Sequence, residues 1–207
     1  MSTTTRRALN IVAAARGAVA ASRRDADAAR AARDAAEREA AIAADAAAML
    51  LAVADASRSA IRQRIERVVG LALAIAFGQG VHFQLEVAQR RGQIEMTPLV
   101  GYTVGKSIAW RSLADVGGGV VDVVAFALRL SVVAMSRRTV APIIIADEPF
   151  RHVSSDRMGY VAQMVRRLAD ELKVQIIVVS HEPELAASAS TRIFVTRTNN
   201  VSRVTVQ

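Results

Sequence analysis

The spacing of apolar residues changes character near residue 78. Residues 5–77 contain no proline, have Gly17 and Gly70 as their only glycines, and are rich in alanine, arginine, aspartate and glutamate. That composition favours helix. From Ile42, the residues Ala46, Met49, Val53, Ala56 and Ala60 follow alternating steps of four and three, a heptad-like seam. Alanine holds half of these positions, so the seam is shallow. A long helix, or two helices folded back on each other, is expected, ended by Gly78 and Gly80. The charged stretch from Arg23 to Glu39 reads as a solvated helix face.

Beyond Gly80 the pattern becomes mixed α/β. Residues 81–88 partly alternate through Val81, Phe83, Leu85 and Val87. A second extended stretch starts at Gln93 after Arg90-Arg91-Gly92, a hairpin signal with Gly92 in the turn. Gly117-Gly118-Gly119 precedes an apolar helix over about 120–135. A buried strand follows at 142–146, a helix over about 155–172 and a second buried strand at 174–180. A short helix at 182–189 and strands at 192–196 and 202–206 close the sequence. Strands alternating with helices imply a helix-covered sheet with ligand chemistry at strand ends. The reading divides the chain into a helical arm, residues 1–77, and an α/β lobe, residues 78–207.

Composition narrows the chemistry. With no cysteine among 207 residues, a disulfide framework, a thiolate zinc site and a cysteine nucleophile are excluded. No secretory signal is visible. The longest apolar run falls well short of the ~20 residues that span a bilayer, so the reading is a soluble, cytoplasmic protein with no membrane partner. The net charge of +8 is spread over both halves, and only Lys106 and Lys173 of the 27 basic residues are lysine. A diffuse basic excess favours nucleic acid electrostatically and makes DNA a plausible partner. A generally basic surface explains it equally well.

Three segments carry candidate chemistry. Ile143-Ile144-Ile145-Ala146-Asp147-Glu148-Pro149 delivers two adjacent carboxylates to a strand end. There one acid can hold Mg²⁺ while the other faces an attacking water, the arrangement that phosphoryl transfer needs. Thirty-three residues after Glu148, a second apolar strand ends in Ser180-His181, and a histidine on a neighbouring parallel strand can donate to a γ-phosphate. The triple glycine is the third, since glycines at a helix N-terminus let phosphate approach free backbone N–H groups. Each has a plain structural alternative: a turn, a surface histidine, a flexible loop. His82, His152 and His181 share no metal-ligand spacing.

In this order, the three segments resemble the C-terminal lobe of ABC-type ATPases, and among these the SMC-like DNA-repair and recombination ATPases of the SbcC kind. The stretch VGGGVVDVVAFALRL from Val116 to Leu130, with Asp147 to Phe150 and His181 to Leu185, is similar to small phage-encoded members. The resemblance covers about residues 65–207. It implies an ABC/SMC-type P-loop ATPase lobe with a coiled-coil-like arm. It further implies that Gly117, Gly118 and Gly119 form the signature motif, which meets the γ-phosphate of a nucleotide on an opposing subunit. Asp147 would be the Walker B metal residue, Glu148 the general base and His181 the switch histidine. Arg129 falls where the family often has a basic residue coupling nucleotide state to the coiled coil; a packed or solvent-facing arginine fits as well. ATP and Mg²⁺ are the implied ligands, and a phage origin would place the protein in the host cytoplasm.

The sequence departs from the pattern in three places. Gly117 stands where the family signature usually begins with serine, which removes a side-chain donor. The interface-loop aspartate position falls on Ser154, with Asp156 two residues on, and either could serve. No Walker A motif, Gly-x-x-x-x-Gly-Lys-Ser/Thr, is present. Gly101-Tyr102-Thr103-Val104-Gly105-Lys106-Ser107 has three intervening residues where four are needed and reads as a hairpin turn. The expected function is therefore the C-terminal half of an ATPase acting in DNA repair, recombination or replication. It would hydrolyse ATP only in a composite site, with the Walker A lobe from another chain or through a homodimer. The alternative is a non-hydrolysing scaffold that binds DNA or a protein partner.

Overall fold

The computed structural model describes residues 3–90, 93–136 and 141–207. Its elements run α1 (Thr3–Phe77), β1 (Val81–Arg90), β2 (Gln93–Val104), β3 (Ser107–Ser112), a 3₁₀ turn (Leu113–Asp115), α2 (Gly118–Met135), β4 (Ile143–Asp147), α3 (Ser155–Leu172), β5 (Gln175–Val179), α4 (Pro183–Ser188), β6 (Ile193–Thr198) and β7 (Val201–Val206). The expected mixed α/β fold with a long N-terminal helix is present, and α1 is one continuous helix. Gly78, in the left-handed region at φ 97°, ends it by donating its N–H to the Ala74 carbonyl.

The chain forms two compact units, Met1–Arg58 and Ser59–Gln207. In the first, the seam residues Ile42, Met49 and Val53 are exposed. Local pairs such as Arg30–Asp27 at 3.2 Å, Arg33–Glu37 at 3.3 Å and Arg58–Asp55 at 2.8 Å decorate the helix. Each stabilises by only about 0.2–0.5 kcal/mol. By length and composition, α1 and α2 are apolar enough to cross a membrane. Much of that apolarity in α1 is alanine, and α2 buries Val123, Val124, Phe126, Ala127, Leu130 and Ala134 in the core.

The second unit holds the core. Val69, Leu73 and Ala76 from α1 pack with Phe83, Leu85 and Val100 from β1 and β2. Phe126, Ala127 and Leu130 from α2, and Met158, Val161 and Leu168 from α3, belong to the same cluster. Glu66 also ties α1 to β1, its carboxylate accepting the Leu85 N–H at 2.8 Å.

The strands form three small sheets: antiparallel β1-β2-β3, parallel β4-β5 and antiparallel β6-β7. Arg90 pairs with Gln93, as a hairpin requires; Arg91 and Gly92 lie outside the described residues. The P-loop-like string is resolved as a hairpin. Val104 pairs with Ser107 across Gly105-Lys106, and Gly105 sits at φ 62°. Gly101 is a glycine because a Cβ there would come within 2.5 Å of the Ile108 side chain.

One expectation is corrected. The apolar runs at 142–146 and 174–180 predict buried strands, yet β4 and β5 bury alternate residues. Ile144, Ala146 and Ile176 face the core, while Ile143, Ile145, Ile177 and Val179 are exposed. The helices cover one face of this two-stranded sheet, so strand alternation turns the other side outward.

The two faces should respond differently to substitution. Phe126→Ala should destabilise the second unit by about 3–5 kcal/mol. Ile145→Ser, at a side chain 71% exposed, should stay within about 0.5 kcal/mol. Urea unfolding followed by Trp110 fluorescence measures both.

Candidate functional site

The site is built by the register of β4 on β5. Five residue pairs, from Ile143 with Gln175 to Asp147 with Val179, run in parallel, and the Glu148 N–H extends the pairing to the Val179 carbonyl at 2.9 Å. Glu148 and the Ser180-His181 pair therefore leave the sheet at one edge. The Glu148 backbone sits in the left-handed region, φ 44°, which a non-glycine residue rarely adopts and which clusters at functional sites.

That backbone turns the Glu148 carboxylate toward β5. It accepts a hydrogen bond from His181 Nδ1 at 2.9 Å and one from the Ser180 hydroxyl at 3.3 Å. Ser180 Oγ in turn accepts the Glu182 N–H at 3.2 Å, and the Glu182 carboxylate lies 3.5 Å from His181 Nε2. The hydrogen bond from His181 holds the Glu148 carboxyl below its ordinary 4.5; desolvation opposes this, and the imidazolium charge and Ser180 add to it. Reciprocally, the Glu148 hydrogen bond and charge raise His181 above 6.5. The imidazole remains 76% exposed, so the pair's worth is modest and salt-dependent.

Asp147 is exposed and, among the described residues, its carboxylate makes no hydrogen bond or ion pair. No cluster of three or more acidic, histidine or cysteine ligands exists among the described residues. Mg²⁺ is commonly held by one or two carboxylates with water and substrate phosphates, a donor set that the Asp147 carboxylate fits.

The glycines lie against a different stretch of chain. Gly117 is the N-cap of α2 and has open space where a Cβ would be. A Cβ on Gly118 would come within 3.0 Å of the His152 Cβ, and one on Gly119 within 2.9 Å of the His152 carbonyl oxygen. The last two glycines thus permit close packing of α2 on the loop after Glu148, and the free N–H groups of the first turn are a separate property.

Sequence reasoning missed the partner of that packing. Asp122 accepts both the backbone N–H and the ring Nδ1–H of His152. The residues are 30 apart, and no local pattern signals the pair. Ser180 as a donor to Glu148 was also missed. Arg129 is exposed on α2. Ser154 caps α3 without a side-chain hydrogen bond, and Asp156 lies in its first turn, so neither is singled out for an interface role.

Comparison with solved structures identifies the fold as that of SMC head domains. An SMC ATPase characterised for ATP-driven dimerization and DNA-stimulated activation aligns at TM-score 0.54 and 19% identity, over 70% of this chain and 84% of that one. An SMC head bound to the C-winged helix domain of ScpA aligns at 0.56 and 20%, over 70% and 43%. An SMC head with an extended coiled coil, bound to the C-terminal domain of ScpA, from Pyrococcus furiosus, aligns at 0.53 and 19%, over 70% and 35%. The chain thus spans less than half the length of the last two. No protein-family model and no curated protein matches the sequence.

Two outcomes follow from this geometry. Gly119→Ala should destabilise the second unit by about 1–3 kcal/mol through overpacking, whereas Gly117→Ala should be nearly neutral; thermal unfolding of the two variants compares them. The Glu148–His181 pair should also be visible by pH. Raising the His181 pKa stabilises the folded state below the unfolded value, a contribution lost as pH rises through the folded pKa. Lowering the Glu148 pKa contributes above its unfolded value and is lost as pH falls through the folded one. In an NMR titration the His181 midpoint should lie above 6.5 and fall toward it in Glu148→Gln.

Proposed function

We propose that this chain is the C-terminal half of an SMC-like ATPase of the SbcC kind, phage-encoded and acting in DNA repair, recombination or replication in the host cytoplasm. The observation that carries this reading is the Glu148–His181 contact at the common edge of two parallel strands, next to the exposed Asp147. In this reading Glu148 is the general base, kept ionised by His181 and Ser180 and placed to orient a water. His181 is the group that senses the γ-phosphate. Asp147 would hold Mg²⁺ together with substrate phosphates, and the ion would offset phosphate charge. Gly117, Gly118 and Gly119 would present the N-terminus of α2 to a nucleotide bound by an opposing subunit.

In this reading the phosphate loop comes from outside these 207 residues, since Lys106 lies in a hairpin turn and not at a helix N-terminus. The open face of β4-β5, with Ile143, Ile145, Ile177 and Val179 exposed, supports a second protein lobe docking there. Residues 1–77 would serve as its coiled-coil arm, and 78–207 as the ATPase lobe. A non-hydrolysing scaffold is the second reading. It is favoured by the missing Walker A motif and by Gly117 in place of the signature serine.

The two readings separate on turnover. The chain, co-purified with the product of a neighbouring reading frame that encodes a Walker A lobe, should hydrolyse ATP in a DNA-stimulated manner. Glu148→Gln should lower kcat by about 10²-fold or more, with nucleotide binding kept. Equal rates for the two proteins would remove the catalytic role.

A further inference from the structure

The loop that leaves β4 carries Glu148 in its left-handed backbone, and four residues later α2 catches it. Asp122 is the centre of the catch. Its carboxylate, 17% exposed, accepts the His152 backbone N–H at 2.9 Å and the ring Nδ1–H at 3.1 Å. One acceptor thus fixes both the main chain and the side chain of a single residue, through hydrogen bonds strengthened by the carboxylate charge.

Three more contacts fall on the same stripe of the helix. Gly118 leaves room for the His152 Cβ and Gly119 for its carbonyl. One further turn along, the buried ring of Phe126 meets the buried ring of Phe150 edge-on, centroids 4.9 Å apart. Residues 118, 122 and 126 are spaced by four, hence share a face. That face holds Phe150, His152 and Val153 at van der Waals and hydrogen-bond distance, which a slack loop would not permit.

We propose that Asp122 is a positioning residue for Glu148: by clasping His152 to the first turns of α2, it sets the backbone from which Glu148 reaches His181. This rests on the reading of Glu148 as the base of a composite ATP site, and adds a mechanical consequence. The glycine turn addresses one nucleotide and Glu148 another, and the clasp makes them one rigid piece. A shift of the α2 N-terminus cannot be absorbed between them, because the contacts are close-packed.

The clasp itself is tested on the full chain by amide hydrogen exchange. Asp122→Ala should speed exchange at residues 151–153 by about tenfold or more, with the interior of α2 unchanged. Asp122→Asn keeps an oxygen acceptor in place and should restore most of the protection, and His152→Ala, which keeps the backbone bond, should fall between them. Unchanged exchange at 151–153 in Asp122→Ala would overturn the clasp. Its effect on Glu148 is tested in the assembled ATPase. Asp122→Ala should lower kcat by about tenfold or more, as misplacement of a reacting group does, with KM within about twofold. In the Glu148→Gln background it should cost nothing further. An unaltered kcat, or fully additive losses, would show that Asp122 does not act through Glu148. If Glu148→Gln turns over at the unmutated rate, the catalytic reading falls and exchange alone decides on the clasp.

Discussion

The parallel pairing of β4 with β5 is the interaction on which the rest of the site depends. A shift of one residue in that register would do two things at once. It would separate Glu148 from His181, and it would turn Ile144 and Ala146 away from the core, because strand side chains alternate. Burial of one face therefore selects the same register that assembles the polar cluster. The added bond from the Glu148 N–H to the Val179 carbonyl carries the pairing one step past Asp147, into the residue whose backbone is strained. Strain of this kind persists where its surroundings over-determine it, and here the His181 and Ser180 hydrogen bonds and the packed loop beyond supply that determination.

The second constraint is the face of α2. The glycines invite a single interpretation as a phosphate cradle, but the structure gives them unequal work. Gly118 and Gly119 are small because the His152 backbone and side chain lie against them, while Gly117 faces open space. Any phosphate role draws on the backbone N–H groups of the first turn, a property that does not itself require all three glycines. Packing thus accounts for glycine at 118 and 119 but not at 117.

The sequence was legible where local rules suffice. The long helix without proline before Gly78, the hairpin residues Gly105-Lys106 and the helix over 155–172 all follow from local composition. The Asp147-Glu148 and Ser180-His181 strand ends could be located, but their meeting depends on a pairing between segments over thirty residues apart. The Asp122–His152 contact was invisible for the same reason. The exposure of Ile145 and Val179 escaped for another: a continuous apolar run predicts burial on both faces, and periodicity does not reveal whether something outside the sequence covers the second one.

That uncovered face bears on the choice between partners. Two-stranded sheets are marginal by themselves, and this unit has two, β4-β5 and β6-β7. Besides the four exposed residues on the first, Ile193, Val195, Val204 and Val206 are exposed on the second. Ile193 pairs with Val206 and Val195 with Val204, so these four share one side of the hairpin. Nucleic acid would be met by arginine and lysine, with its phosphates neutralised. β-Branched aliphatic surface of this kind is instead stabilised by removing it from water against another apolar surface. The chemistry of these two faces therefore matches an apolar surface better than a phosphate backbone.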